Sequence, residues 1–373
     1  MTRQGTDAQR LGGPDAMLER IRRYVEAETP TGDEARASEL ASLIVEDLRA
    51  AGCTVETTHA RGYGVHILAR RAGDARRPLL LLGHYDTVHP TGTLERLPFR
   101  LDAGRAYGPG IFDMKAQIAL SIEALMRATR ARPVIILLTC DEEVGSPTSR
   151  PLIERIAREC DAVLVLEPPL PDGSAKTARK GVGKYRLEAY GRAAHAGIEP
   201  EAGIDAIAEL AHQIEAMAAL AHAALGTTVT IGRIAGGTAS NVVADHAEAE
   251  IDVRFAAVAE GERVDAALRA LRPRDPRVRL ALDGGMNRPP LVRTAESERL
   301  YRAARAQAAE AGFELGEGAT GGGSDGCFTA AAGVPTLDGL GVPGAGAHTL
   351  EEHIRVDALE PRTDFLRRLI ENL

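Results

Sequence analysis

Three uninterrupted apolar runs punctuate the first half of the chain: Leu79-Leu80-Leu81-Leu82, Val134-Ile135-Ile136-Leu137-Leu138 and Ala162-Val163-Leu164-Val165-Leu166. Each is short and does not alternate with polar residues, which is the pattern of a strand covered on both faces. Between the first two runs, Ile118, Ile122, Leu125 and Met126 recur at helical spacing within 115–130, completing a strand, crossover helix, strand unit. Upstream, Leu18, Ile21 and Val25, then Leu40, Ile44 and Leu48, predict two amphipathic helices, the second closed by Gly52. Strands are expected near 53–58 and 64–70. The fold class that follows is α/β, a mostly parallel sheet with helices on both faces.

From about residue 181 the period changes. Val182, Tyr185, Leu187 and Ala189 lie in a segment interleaved with polar residues, which suits a sheet with one wet face. A helix near 203–221, strands near 227–234 and 247–255, a helix near 261–271 and a strand near 277–283 follow. Strand, helix, strand, strand, helix, strand is the order of a ferredoxin-like sandwich. After Arg288-Pro289-Pro290 the α/β pattern returns, with a helix at 296–311, a strand at 334–340 and a closing helix near 356–371. The expected organisation is therefore a discontinuous domain of residues 1–180 and 290–373, with an α+β domain of residues 181–289 inserted into it.

Composition narrows the function. A chain of 373 residues exceeds the roughly 250–300 at which a single core stops growing, in keeping with two domains. The net charge of −8 is spread along the chain with no basic block, so nucleic acid is not an expected partner. Cys53, Cys140, Cys160 and Cys327 lack metal-type spacing and are read as reduced. A polar N-terminus and the absence of any apolar stretch near 20 residues argue against a signal peptide or a membrane span and for a cytoplasmic protein. No Gly-x-Gly-x-x-Gly follows the first buried strand, which disfavours nicotinamide binding.

The three apolar runs deliver hard or imidazole ligands at their C-terminal ends: His84 and Asp86, Glu142 and Glu143, and Glu167. That edge of an open parallel sheet is where ligands bind. Any one of these residues alone reads better as a cap or an ion-pair partner, and Glu142-Glu143 alone as acids at a helix N-terminus. Their coincidence at one sheet edge points to metal chemistry. If the strand persists, Asp86 shares a side with His84 and can accept its second ring N–H, fixing the ligand's tautomer. Asp113, in a turn-rich loop before a helix, could bridge two cations, with Glu143, Glu167 and His348 completing the shells. Two Zn²⁺ ions sharing a carboxylate can acidify a water between them and polarise an amide carbonyl. Glu142 is then placed to be the general base that passes the proton to the leaving amine.

A family resemblance rests on five motifs, taken in order: Gly83-His84-Tyr85-Asp86-Thr87-Val88, Gly108-Pro109-Gly110-Ile111-Phe112-Asp113-Met114-Lys115, Asp141-Glu142-Glu143-Val144-Gly145-Ser146, Leu166-Glu167-Pro168 and Gly346-Ala347-His348. This set resembles the dinuclear-zinc hydrolases that include bacterial glutamate carboxypeptidase, acetylornithine deacetylase and succinyl-diaminopimelate desuccinylase, most closely the glutamate carboxypeptidase branch. The resemblance implies two Zn²⁺ per subunit, with Co²⁺ or Mn²⁺ as substitutes. Asp113 would bridge them, His84 and Glu167 would hold one, Glu143 and His348 the other, and Glu142 would be the catalytic base. It further implies that the inserted domain is a lid and the contact of a homodimer, and that the Asp113–Met114 peptide is cis. Met114 departs from the second acid that many relatives carry there.

By the same resemblance, His195 in Gly191-Arg192-Ala193-Ala194-His195-Ala196-Gly197 would steady the tetrahedral oxyanion. Asn241 would bind substrate, Arg288 would grip a substrate carboxylate, and Gly321, Gly322 and Gly323 would bring backbone amides close to it. Taken alone, His195 is a turn histidine, Arg288 a surface arginine at a hinge and the glycines a loose loop. The expected activity is hydrolysis of the amide next to a free carboxylate, in N-acyl amino acids or short peptides with a glutamate-like C-terminus. An N-acyl amino acid deacylase of acetylornithine-deacetylase type is the alternative within this chemistry. A noncatalytic, metal-dependent amino-acid-binding protein is the alternative outside it, and the presence of Glu142 argues against that.

Overall fold

The computed structural model describes residues 14–129 and 132–373. They divide into two compact units, one made of the chain to Ala178 together with Arg293–Thr320 and Ser324–Leu373, the other of Arg179–Val292 together with Gly321–Gly323.

The first unit is built on a six-stranded sheet in the order Thr54–Ala60, Gly64–Arg71, Val134–Thr139, Leu79–His84, Ala162–Val165, Thr336–Leu337. The last four strands run parallel to one another, and Gly64–Arg71 is antiparallel to both of its neighbours. The apolar runs are buried at every position because alternate residues serve opposite faces. Leu79, Leu81, Ile136, Leu138 and Leu164 pack with Ile21 of the helix Pro14–Glu26, Leu40 of Glu34–Ala50, Ile122 of Ala116–Arg127 and Phe365 of Leu359–Asn372. Leu80, Leu82, Ile135, Leu137, Val163 and Val165 pack on the other side with Ile153 and Ile156 of Arg150–Ala157 and Phe328 of Gly326–Ala331. The mostly parallel sheet with helices on both faces is thus observed.

Local chemistry sets the element ends. Asp33 accepts the Arg36 N–H at the start of the second helix, and Gly52, at φ 82°, follows its last turn, a backbone state that glycine enters without a Cβ clash. The helix Arg150–Ala157 escaped the sequence reading because its eight residues give too short a period to register. The strand expected at 334–340 is ordered as a strand only at Thr336–Leu337. Beyond it the backbone leaves the sheet, and Asp338 exchanges backbone hydrogen bonds with Lys176 instead.

The second unit is a four-stranded antiparallel sheet in the order Thr228–Gly236, His246–Phe255, Gly181–Tyr190, Arg279–Arg288. The helices Ala206–Ala218 and Val258–Arg269 cover one face, where Tyr185, Leu187, Ala249, Ile251 and Val253 meet Leu210, Met217, Val264 and Leu268. With its chain order this is the ferredoxin-like arrangement. The opposite face is wet and cross-linked by ion pairs such as Arg233 to Glu250 at 2.7 Å. Gly321–Gly323 belong to this unit rather than to the segment that surrounds them in sequence. Arg179 donates to the carbonyls of Gly322 and Gly323 at 3.3 and 3.0 Å, and Arg254 to that of Gly321 at 3.3 Å.

Leu81 is fully buried at the centre of the main sheet, and Leu101 is 58% exposed. Leu81→Ala is therefore expected to lower stability by about 2–5 kcal/mol, and Leu101→Ala to change it by no more than about 0.5 kcal/mol. Urea unfolding followed by circular dichroism checks this, and equal effects would contradict the core assignment.

Candidate metal centre

Three adjacent strands of the first unit end at one edge and carry the candidate ligands there. His84 is the last residue of Leu79–His84, the Glu142-Glu143 turn begins three residues past Val134–Thr139, and Glu167 lies two past Ala162–Val165. Asp113 comes from the turn before the helix Ala116–Arg127, where the Asp113–Met114 peptide is cis. His348 comes from a late loop and has φ 65°, a left-handed backbone uncommon for a residue with a side chain and more frequent for histidine than for most.

These side chains form two groups that share Asp113. His84 Nε2 lies 3.2 Å from Asp113 Oδ1 and 3.4 Å from Glu167 Oε1. His348 Nε2 lies 3.5 Å from Asp113 Oδ2 and 3.4 Å from Glu143 Oε1. Two ligand atoms on one tetrahedral zinc, each about 2.0–2.1 Å from it, stand about 3.3 Å apart. The contacts match that spacing, and both groups could hold a cation. Glu143 supplies a second sign: its Oε1 is buried and makes no hydrogen bond, although an imidazole is 3.4 Å away. A buried carboxylate oxygen left in that state is costly unless a cation meets it.

The histidine tautomers suit ligation. His84 Nδ1 is 3.0 Å from the carbonyl oxygen of Asp86, which can only accept, so Nδ1 carries a proton and Nε2 is the nitrogen left to meet a cation. The expected Asp86 carboxylate contact is also present, at 3.3 Å from Nδ1. That carboxylate is buried and does more than the sequence suggested. It accepts the Glu142 and Glu143 N–H groups at 3.3 and 3.2 Å and the Thr31 hydroxyl at 2.8 Å, tying the His84 strand to the turn that carries Glu142.

Charge in the cluster is strongly coupled. Burial opposes a proton on His84, but its hydrogen bonds to Asp113, Asp86 and Glu167 outweigh it and hold its pKa well above the ordinary value. Asp113 is likewise penalised by burial, yet its bonds to His348 and His84 hold its carboxyl well below the usual carboxylate range. The Asp113 and Glu143 carboxylates beside it push His348 up to about 10, whereas burial leaves Glu143 raised. The surroundings of both imidazoles favour positive charge, and a divalent cation supplies more of it than a proton does.

Several supports carried no periodic or motif signal. Asp141 Oδ2 accepts the N–H groups of Thr148 and Ser149 and the Thr148 hydroxyl at 2.7, 3.1 and 2.7 Å, joining the ligand turn to the start of the helix Arg150–Ala157. Asp325 accepts the hydroxyls of Ser146 and, at 3.2 Å, Thr139. Glu352 is fully buried and binds the turn that carries Asp113. Only proximity in the folded chain reveals these partners.

The remaining candidates lie in the second unit. His195 and Asn241 are exposed and sit on paired segments: His195 bridges Val242, and the Ala196 N–H donates to the Asn241 carbonyl at 2.9 Å. His195 Nδ1 accepts the Gly197 N–H at 3.1 Å, which leaves Nε2 as the protonated, donating nitrogen. Arg288 is buried at the end of its strand beside Gly323, where an added Cβ would lie 2.8 Å from the arginine Cδ. Gly321 has open space around its Cβ position. A third donor group, Glu188, His246 and Glu248, is already engaged, because Glu248 pairs with Arg186 and with Arg233. All four cysteines are buried and outside any disulfide, and no helix among the described residues is long and apolar enough to cross a membrane.

Replacing Asp325 with Ala leaves two buried hydroxyls without this acceptor, and a loss of about 1–3 kcal/mol is expected. Thermal unfolding of the metal-free protein measures it, and an unchanged midpoint would contradict the anchoring role.

Comparisons with known proteins give likenesses over most of the chain. The model of the family described as "Peptidase family M20/M25/M40" matches residues 80–372. Carboxypeptidase G2 of Pseudomonas sp. (strain RS-16) is 31% identical over 373 residues, covering 96% of this chain and 89% of that protein. Succinyl-diaminopimelate desuccinylase of Verminephrobacter eiseniae is 31% identical over 329 residues, covering 80% and 79%. Among solved structures, aminopeptidase PepT of Bacillus cereus superposes with a TM-score of 0.79 at 23% identity, over 97% of this chain and 99% of that one, a likeness of fold.

Proposed function

The chain belongs to peptidase family M20/M25/M40 and is a hydrolytic enzyme, and on that premise we propose that it cleaves the amide bond next to a free carboxylate in N-acyl amino acids or short peptides. The observation that carries this reading is the pair of donor sets sharing Asp113, with Glu142 beside them. His84, Glu167 and Asp113 would hold one Zn²⁺, and Asp113, Glu143 and His348 another. When bound, the ions supply Lewis acidity, polarising the scissile carbonyl and making water acidic enough to lose a proton near neutral pH.

Glu142 is the general base. Its backbone is held by Asp86, and its charge bears on His84, so its carboxylate belongs to the same cluster without being needed as a ligand. It takes the proton of the attacking water on a carboxylate oxygen and returns it to the leaving nitrogen, which departs as a neutral amine. His195 donates from Nε2 to the oxyanion of the tetrahedral intermediate, a donor the Gly197 contact keeps in place. Arg288 and the amides of Gly321–Gly323 receive the substrate carboxylate, a task suited to a planar guanidinium beside residues without side chains. Asn241 orients the substrate.

The second unit serves as lid and dimer contact in this reading. In support, Thr228–Gly236 is an edge strand with one unpaired side, and Ile234 on it is 63% exposed. A homodimer through this edge is expected to become monomeric in Ile234→Lys, as read by sedimentation velocity. A variant that sediments like the parent would contradict the assigned contact.

The likeness to a desuccinylase favours a second reading, in which the enzyme selects the acyl group rather than the amino acid. Steady-state hydrolysis of N-acyl-glutamate and of N-acetylornithine by the zinc-loaded protein separates the two. Preference for the glutamate compound is expected, and activity only on N-acetylornithine would move the enzyme to the deacylases. Glu142→Ala should lower kcat by about 100- to 10,000-fold with cation content retained. Full activity in that variant would contradict the base assignment.

A further inference from the structure

We propose that Glu352 positions the Asp113 side of the site, locking the turn that presents Asp113 to the loop that presents His348. The inference rests on the reading of Asp113, Glu143 and His348 as cation ligands. Glu352 is fully buried, and both of its carboxylate oxygens are used twice. Oε1 accepts the Phe112 and Asp113 N–H groups at 2.9 and 3.0 Å, and Oε2 accepts the Gly110 N–H at 3.0 Å and lies 2.6 Å from His89 Nε2. A fifth bond, from the Gly108 N–H to the Glu352 carbonyl at 3.3 Å, joins the two backbones directly.

Successive N–H groups of a turn that point to one spot form a nest for an anion. Here the chain's own carboxylate fills it. A carboxylate is the side chain that suits four donors, because it accepts at both oxygens and donates from neither. A glutamine could keep the bonds at one oxygen but would turn its NH₂ group toward the other two donors. The Asp113 N–H is one of the four, so moving Glu352 moves the residue shared by both donor sets.

The other end of the lock is short. His348 precedes Glu352 by four residues, within a turn closed by the Thr349 N–H and hydroxyl on the Gly346 carbonyl at 3.0 and 2.7 Å and by the Glu351 N–H on the Thr349 hydroxyl at 3.2 Å. Gly346 has φ 79°, and a Cβ there would lie 2.6 Å from the Glu351 carbonyl, so the turn admits little else at that position. The 3.5 Å separation of His348 Nε2 from Asp113 Oδ2 is therefore fixed through Glu352. His84 and Glu167 do not depend on it in the same way, since the ends of buried strands carry them.

The test is zinc titration of the metal-stripped full chain against a chromophoric chelator, for the parent and for Glu352→Gln. The parent is expected to bind two zinc ions. In Glu352→Gln one ion should lose about 10- to 100-fold in affinity, the range typical when a partner of a metal ligand is changed, while the other, which shares Asp113 but keeps His84 and Glu167 on the strand ends, should lose less. If the parent binds no zinc, the cation reading itself fails. If the parent binds two ions and the variant binds both as tightly, or loses both equally, the positioning role fails while the cation reading stands. A lower melting temperature with an unchanged isotherm is what a merely structural Glu352 would give, and it also overturns the proposal. Should Glu352→Gln not fold, His89→Leu removes one donor and leaves Glu352 in place. It should weaken the same ion by a smaller factor, and an unchanged isotherm would contradict the lock.

Discussion

The structure of the first unit is organised around a cost: five carboxylates, from Asp86, Asp113, Glu142, Glu143 and Glu167, converge with two imidazoles where the buried parallel strands of the sheet end. Acids brought together out of water repel one another, and each loses hydration that the interior does not replace. The fold meets this in two ways. Backbone N–H groups and hydroxyls bond Asp86, Asp325 and the Oδ2 atom of Asp141. The oxygens of the candidate ligands face histidine nitrogens at spacings suited to a shared cation. The cluster is thus polarised into residues that hold shape and residues that hold charge.

This division explains why the candidate ligands sit where they do. Parallel strands buried on both faces have no freedom to shift, so a ligand on the residue that ends such a strand inherits the rigidity of the core. His84, the Glu142-Glu143 turn and Glu167 are placed this way. Asp113 and His348 are not, since each comes from a loop, and loops need tethers. The buried carboxylate of Glu352 is such a tether for the Asp113 turn, and its place four residues after His348 makes one side chain serve both loops. A substrate amide could then meet donors whose positions are set before it arrives, which is the condition for electrostatic catalysis.

Much of this was legible in the chain itself. Uninterrupted apolar runs announce parallel strands because burial on both faces leaves no polar position to break them, and the residue after each run then marks the ligand edge. The ferredoxin-like unit was legible for the complementary reason, alternation from a sheet with one wet face. What stayed hidden was whatever depends on contacts distant in sequence. Glu352 lies in Leu350-Glu351-Glu352-His353, a stretch with no period, and nothing there distinguishes it from Glu351, which is exposed. Asp141 and Asp325 are similarly anonymous. Asp86 was legible as a partner of His84, but its hold on the Glu142-Glu143 backbone spans more than fifty residues and no local pattern encodes it. The placing of Gly321–Gly323 in the second unit likewise depends on Arg179 and Arg254, which are remote in sequence.

The most direct measurement is anomalous diffraction at the zinc edge from crystals of the zinc-loaded protein. The account predicts two peaks, one among His84, Asp113 and Glu167 and the other among Asp113, Glu143 and His348. No peak at either place, or a peak only at Glu188, His246 and Glu248, would contradict it.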